Sequence, residues 1–389
     1  MITLVLPVTE GPFVRPGFRG VRQLAALQIH SGDTLRPNYS VLILGASYGS
    51  LFATKLLLAG HPVTLVCTQP EVEIINRDGT LVYLPIRGRE EPVKISSNSL
   101  KGVLSAVTPD IVNSAEFDLV VCAMQEPQYR SPGVCELMQR IAHARVPSLA
   151  IMNMPPLSYL ERIPGLATDT LTQCYVSPEV WKDFEPELVT TASPDPQAFR
   201  PPDEALNVLR VGLPTNFKAA RFETDEPTRM LRNLQADVEE IRFDPGDGNI
   251  ELPVKLKVHD SIFVPLTKWQ MLLAGNYRCI RRDDMISIKD AVHANIDTSR
   301  NIYEWVRKLC IRLGAIDDDL VPFDKYAHAA ESLGKPSSAA RALFSGAKDI
   351  ERVDCLVQQI ARQLGIDSEP VDHIVALVDE RLHLNRTAP

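Results

Sequence analysis

The stretch Tyr39-Ser40-Val41-Leu42-Ile43-Leu44-Gly45-Ala46-Ser47-Tyr48-Gly49-Ser50-Leu51 decides how the rest of the chain is read. Val41–Leu44 is a short, wholly apolar run, the pattern of a parallel strand buried on both faces. Residues 45–50 follow as a tight turn of mostly small residues, and residues 51–59 read as a helix that Gly60 ends. Residues 63–67 read as the next buried strand. Strand, turn, helix and strand complete one βαβ unit, whose right-handed crossover builds a parallel sheet.

Such a turn carries chemistry when its backbone lets a pyrophosphate approach and the following helix offers free N–H groups and the positive end of its dipole. Gly45, Ala46, Ser47, Tyr48, Gly49 and Ser50 are therefore the candidate nucleotide contacts. The spacing departs from Gly-x-Gly-x-x-Gly, since counting from Gly45 puts Ser47 and Ser50 at the second and third glycine positions. The second strand ends in Cys67-Thr68-Gln69-Pro70, with no acid until Glu71. A site for NAD usually places an acid there to hold the ribose 2′-hydroxyl. Thr68 at this point favours NADP, with Arg77 as candidate partner of a 2′-phosphate and NAD left open.

Further strands are expected at residues 119–123 and 148–152, with a helix over 133–143 between them. Ala123 and Met124 then stand at the end of the third strand and are further candidate cofactor contacts. The proline-dense residues 193–203 read as a surface loop. A strand at Val208–Leu213, a helix over 227–236 and a strand over 238–243 lead to the turn cluster 244–249, where the domain boundary is placed. Beyond it, helices are expected at 264–279, 286–313, 337–364 and 371–382. The fold class is an α/β Rossmann-type doubly wound sheet followed by an all-helical C-terminal domain. Residues 1–39 are an extension with a strand-like start at 2–7, residues 40–248 the nucleotide-binding domain and residues 249–389 the helical domain.

Composition fits this division. A chain of 389 residues with 45% apolar and 23% charged side chains has core enough for two or three domains, which excludes wholesale disorder. A net charge of -8 lacks the electrostatic footprint of a general nucleic-acid binder. The seven cysteines are scattered, odd in number and never spaced Cys-x-x-Cys, which argues against a disulfide framework and a zinc site. A reducing compartment, the cytoplasm, is expected, with no metal. No run of 18 apolar residues suggests a membrane span, and residues 1–40 lack the pattern of a signal peptide.

Several segments together resemble the ketopantoate reductase family. Gly49-Ser50-Leu51-Phe52-Ala53 and Ala59-Gly60-His61-Pro62-Val63-Thr64-Leu65-Val66 resemble its opening, and Ile75-Asn76-Arg77-Asp78-Gly79 the turn that follows. Asp118-Leu119-Val120-Val121-Cys122-Ala123-Met124 is similar to its next strand. Asn153 stands where that family has Asn-Gly, and Trp269-Gln270-Met271-Leu272 resembles its Trp-x-Lys-Leu helix. Ser337-Ser338, then Lys348-Asp349-Ile350-Glu351, and finally Leu364-Gly365-Ile366 resemble its closing segments. The resemblance implies a cleft between the two domains and reduction of a 2-oxo acid with NADPH. It further implies a lysine as proton donor and a carboxylate or hydroxyl of the helical domain as substrate binder.

The departures are informative. The family's two site lysines fall on Met271 and Met124, and a thioether has no proton to give. Lys268, one helical turn before Met271, is the replacement that spacing suggests. Asn153 and Asp349 then orient the substrate, and Asn276, Ser337 and Ser338 are candidate substrate contacts. The expected activity is an NADP-dependent oxidoreductase working at a CH-OH or CH-NH centre of an unidentified small molecule. Two alternatives stay open: an opine-type dehydrogenase using His293 and Asp297, and a nucleotide-binding module that has lost the chemistry. The long helices of the second domain suit a homodimer; neither nucleic acid nor membrane is an expected partner.

Overall fold

The computed structural model describes residues 36–387, and the expected strand at 2–7 lies outside them. The chain from Asn38 onward clusters as one unit. Its strands, in chain order, are β1 (Val41–Leu44), β2 (Val63–Val66), β3 (Leu81–Leu84), β4 (Val93–Ser96), β5 (Leu104–Val107), β6 (Leu119–Cys122) and β7 (Ser148–Ile151). They continue with β8 (Val189–Ser193), β9 (Gln197–Phe199), β10 (Val208–Leu213), β11 (Phe217–Ala220), β12 (Arg242–Phe243), β13 (Ile250–Glu251) and β14 (Leu256–His259). Eight of them form one sheet in the order β14-β11-β8-β7-β6-β1-β2-β5. All its pairings are parallel except β8 with β11.

β1 is central because every residue in it is apolar and can be buried on either face. Val41 and Ile43 pack with α1 (Ala46–Ala59) and with α5 (Asp225–Glu240). Leu42 and Leu44 pack on the opposite face with α3 (Pro132–His143) and the C-terminal helices. This gives the doubly wound arrangement with an all-helical C-terminal part. Here α2 (Gln69–Asp78) follows β2, and α4 (Leu157–Leu160) follows β7.

Several expectations change. α1 starts at Ala46, so the small-residue stretch is the first turn of the helix rather than a separate turn. Gly45 takes up the reversal alone, at φ 101, which a side chain disfavours. β3, β4, β9 and β10 form a second sheet in the order β4-β3-β10-β9, whose apolar side packs with α1. Residues 193–203 are therefore not only loop. β9 is an edge strand whose ends are exposed, so no apolar run marks it. β8 escapes a hydrophobic reading for another reason. The Thr190 and Thr191 hydroxyls donate to the Ala220 and Ala150 carbonyls at 2.8 and 2.9 Å, which lets polar side chains sit in the core.

The sheet takes its last strand, β14, from beyond the turn cluster 244–249, so the helical part begins at Pro265. α5 runs to Glu240, leaving only Arg242–Phe243 of the strand expected over 238–243. The expected helix 264–279 is segmented. A 3₁₀ turn at Pro265–Thr267 leads into α6 (Lys268–Met271), a π turn at Leu272–Asn276 and a 3₁₀ turn at Tyr277–Cys279. Residues 286–313 divide into α7 (Ile288–His293) and α8 (Ile296–Leu313), because Asn295 caps the second helix by accepting from the Thr298 amide. The remaining helices are α9 (Phe323–Ala330), α10 (Ser338–Phe344), α11 (Val353–Gln363) and α12 (Glu369–Thr387). No helix among the described residues is long and apolar enough to cross a membrane.

Candidate functional site

In an open parallel sheet, ligands bind outside the carboxyl ends of the strands where the strand order reverses. Here that point is the gap between β1 and β6, flanked by Gly45 on one side and Ala123 and Met124 on the other. A Cβ on Gly45 would lie 2.5 Å from Met124 Cγ and 3.0 Å from the Ala123 carbonyl oxygen. Gly45 donates its own N–H to Val66 O at 2.9 Å, tying the turn to β2.

Ala46, Ser47 and Tyr48 form the first turn of α1 beyond it. The Tyr48 hydroxyl donates to Pro196 O at 2.8 Å, so the segment after β8 lies against this helix start. The Ser50 hydroxyl is buried and bonds back to Ala46 O within the helix, away from the crevice. Gly49 faces the sheet: a Cβ there would lie 2.7 Å from Ile43 Cγ2. Gly49→Val should therefore act on packing before it acts on any ligand. Overfilling such a contact costs about 1–3 kcal/mol, which a lowered Tm in the absence of nucleotide would register.

At the end of β2, Thr68 caps α2. Its amide and hydroxyl donate to Glu71 Oε2 at 2.9 and 2.6 Å. Arg200, just past β9, donates from Nη1 to Glu71 Oε1 at 2.7 Å, and its Nε is buried with no partner among the described residues. Arg77 stands at the far end of α2, exposed and paired with Asp78 at 2.8 Å. Helix rise over the nine positions from Thr68 to Arg77 separates them by about 13.5 Å, so Arg77 is not beside Thr68.

A second group of residues lines a small pocket of about 30 Å³ between the sheet and the helical part. Gln125 and Asn153 come from the ends of β6 and β7, Leu272, Asn276 and Tyr277 from the segmented helix, Ser338 from α10, and Glu351 from the loop before α11. Asn153 Nδ2 donates to Glu351 Oε2 at 2.9 Å, and the Met154 amide donates to Oε1 at 3.5 Å. Tyr277 holds the loop by donating its hydroxyl to Glu351 O at 2.5 Å while accepting from the Val353 amide at 3.0 Å. The π turn admits one extra residue. Gly275 thereby backs onto Tyr326, whose hydroxyl a Cβ would meet at 2.0 Å, and Asn276 lines the pocket.

Burial pushes the Glu351 carboxyl above the ordinary carboxylate range, opposed by the bonds from Asn153 and Met154. Glu126 lies close by. Its Oε1 accepts from the Val176 and Ser177 amides at 2.9 and 3.1 Å, and its Oε2 is buried without a partner among the described residues. Burial is the main reason its carboxyl is raised to about 7, with Glu351 and Asp349 adding to it.

The other candidates are placed differently. Asp349 is paired with Arg130 at 2.7 Å and Arg386 at 2.9 Å and is not part of the pocket lining; Glu351, two residues on, is. Ser337 is buried as the cap of α10, accepting from the Ala340 amide and donating to Asn276 O at 2.7 Å. Lys268 is also absent from the lining. Its Nζ donates to Asp195 Oδ1 at 3.1 Å, and Lys218 meets Oδ2 of the same carboxylate at 3.1 Å. Burial alone would raise Asp195, but the two lysines outweigh it and hold the group below its ordinary value. His293 ends α7 and contacts Ala327 O at 3.0 Å, while Asp297 lies on α8, so the two do not share a helix.

Four residues that the sequence reading did not select thus stand at the crevice or its rim: Glu351, Glu126, Asp195 and Arg200. Glu351 was within the quoted Lys348–Glu351 segment and could have been weighed against Asp349. Arg200 and Asp195 lie in proline-dense text, where nothing marks them locally.

No family model matches the chain, and no curated protein matches it. Solved structures do. D-mandelate dehydrogenase with NADH and anilino(oxo)acetate aligns at TM-score 0.60 and 14% identity, over 90% of this chain and 100% of that one. The 2-dehydropantoate 2-reductase from Methylococcus capsulatus gives TM-score 0.63 at 13% identity, over 90% and 98%. A dimeric ketopantoate reductase from Staphylococcus aureus gives 0.56 at 12% identity, over 89% and 99%. The chain accordingly has the fold shared by the ketopantoate reductases and D-mandelate dehydrogenase, a Rossmann-type sheet with a helical C-terminal domain.

Proposed function

We propose that the chain is an NADP-dependent oxidoreductase that reduces a small 2-oxo acid or a related carbonyl or imine. The observation that carries this reading is the Asn153–Glu351 pair, which joins the end of β7 to the helical part across the crevice at the carboxyl ends of the strands. The crevice suits a dinucleotide: the Gly45 cradle leaves no room for a side chain, and the first turn of α1 offers backbone N–H groups. In this reading Gly45, Ala46, Ser47 and Tyr48 hold the pyrophosphate, Gly49 and Ser50 shape the helix beneath it, and Ala123 and Met124 flank it. The nucleotide, when bound, supplies the hydride.

Thr68 and Arg200 meet the adenosine ribose. Both Glu71 oxygens are already engaged, whereas Arg200 keeps a buried N–H without an acceptor. The open valence at this point is a donor, which suits the 2′-phosphate of NADP rather than a hydroxyl donor of NAD. Arg200→Ala should weaken NADPH binding about 10–100-fold and leave NADH binding unchanged, as expected for a charge-assisted hydrogen bond of roughly 1.5–3 kcal/mol. A fluorescence titration with each nucleotide checks this.

On the substrate side, Asn276 and Ser338 contact the polar end of the substrate and Asn153 orients its carbonyl. Glu351 supplies the proton. The Lys268–Asp195 pair adds charge at the rim, and Asp349 anchors the loop that carries Glu351 through Arg130 and Arg386. NADPH oxidation with a panel of 2-oxo acids, each with and without an amine, tests the reading. Turnover only in the presence of an amine would favour the opine-type reaction, and binding without any turnover would mark a module that has lost the chemistry.

A further inference from the structure

Away from the crevice, two thiols meet across the chain. Cys174 ends the 3₁₀ segment Thr168–Cys174, and Cys355 lies in the first turn of α11. The two are 181 positions apart, yet Cys174 Sγ donates to Cys355 Sγ at 3.2 Å. A disulfide has its sulfurs about 2.05 Å apart, so an approach of roughly 1 Å brings this pair to bonding distance. Both thiols are free.

Their surroundings differ in a way that assigns roles. Cys174 is buried, at 2% exposure, whereas Cys355 is partly exposed. The hydrogen bond from Cys174 holds the Cys355 thiol below its ordinary value, and the Arg352 guanidinium adds to this against burial, Asp354 and Asp379. The start of α11 contributes in the same sense, since a helix N-terminus favours a thiolate. An accessible sulfur with thiolate character beside a second, protonated thiol is the arrangement of an oxidisable pair. Neither cysteine belongs to the pocket lining or to the proposed nucleotide site.

We propose that Cys174 and Cys355 form a peroxide-oxidisable dithiol. The Cys355 thiolate attacks hydrogen peroxide; the O–O bond breaks, a sulfenic acid forms and hydroxide leaves. The Cys174 sulfur then attacks the sulfenic sulfur. The S–O bond breaks, the S–S bond forms, and the Cys174 proton leaves with the departing hydroxyl as water. Overall the two thiols give up two electrons and two protons, and one peroxide becomes two waters. The product covalently joins the segment at 168–174 to α11, which begins two residues after Glu351, and so braces one wall of the pocket.

The test uses the full chain treated with a small excess of hydrogen peroxide, followed by alkylation and peptide mass mapping. The expected product is a Cys174–Cys355 cross-link that dithiothreitol reverses, accompanied by a Tm several degrees higher. In Cys174→Ser the expected product is instead a Cys355 sulfenic acid, trapped by dimedone; in Cys355→Ser, Cys174 stays reduced. Melting curves of the reduced variants, repeated with Cys174→Ala and Cys355→Ala, separate chemistry from misfolding. Intact thiols in the treated wild type, a cross-link through other cysteines, or Cys355 passing to sulfinic acid beside an unreacted Cys174 would each overturn the proposal.

Discussion

Glu351→Gln is expected to lower the rate of carbonyl reduction ~10²–10⁴-fold, the usual loss when a general acid is removed, with nucleotide affinity unchanged. The substitution keeps the shape and the acceptor for Asn153 but removes the proton. Met271 and Met124 stand where the resemblance calls for lysines, and neither has a proton to donate. Glu351 is 7% exposed, lines the pocket, and has its carboxyl raised by burial, so it retains a proton at a pH where an ordinary glutamate has lost it.

The pH dependence has a definite sign. In the proposed reaction the protonated carboxyl is the active form, so kcat/KM should fall as pH rises through the raised value. Glu126 lies close by, with its carboxyl raised to about 7 by burial. Its charge above that pH holds the neighbouring proton more tightly, which spreads the fall over two coupled steps. Lys268→Met is the matching comparison. The Lys268 ammonium is engaged by Asp195, so its loss should leave this alkaline fall in place, whereas Glu351→Gln should abolish it. A flat wild-type profile, or a Lys268→Met variant that loses the fall, would return the donor role to the lysine.

Lys55→Met is expected to raise stability near neutral pH and to remove a pH dependence on the alkaline side. Lys55 is fully buried in α1 and donates to Pro253 O at 2.9 Å. Burial, reinforced by the charge of Lys255 and opposed by Glu251, lowers its pKa from 10.5 to about 7. Between those values the unfolded chain binds more protons than the folded one, so stability rises with pH. The slope contributed by this group is about 1.4 kcal/mol per pH unit at most, and the penalty is fully present below about 7. Urea unfolding at pH 7 and pH 9.5 reads both parts: wild type should gain several kcal/mol relative to Lys55→Met over that interval. A variant whose stability differs from wild type by the same amount at both pH values would show that burial does not lower the Lys55 pKa.

The opening βαβ unit was legible because its signals are local. β1 is apolar throughout and β2 is apolar but for Thr64, the reversal at Gly45 needs a residue without a side chain, and Gly60 stops α1 with a left-handed cap. The helical character of the C-terminal part was equally plain, although its breaks were not. The π turn at Leu272–Asn276 depends on Gly275 packing against Tyr326, a contact that no spacing announces.

The candidate site shows the same division. By itself the sequence determined the order of strands and helices around Gly45, the absence of the expected lysines at Met124 and Met271, and Asn153 at a strand end. Only the tertiary structure decided which carboxylate faces Asn153, and it chose Glu351 over Asp349, which two arginines hold. It also brought Arg200 from the second sheet to the end of β2, in place of Arg77. The physical reason is distance along the chain. Apolar runs and glycine stops act on the backbone within a turn or two, whereas the Asn153–Glu351 bond closes over 198 positions and exists only once both faces of the sheet are packed.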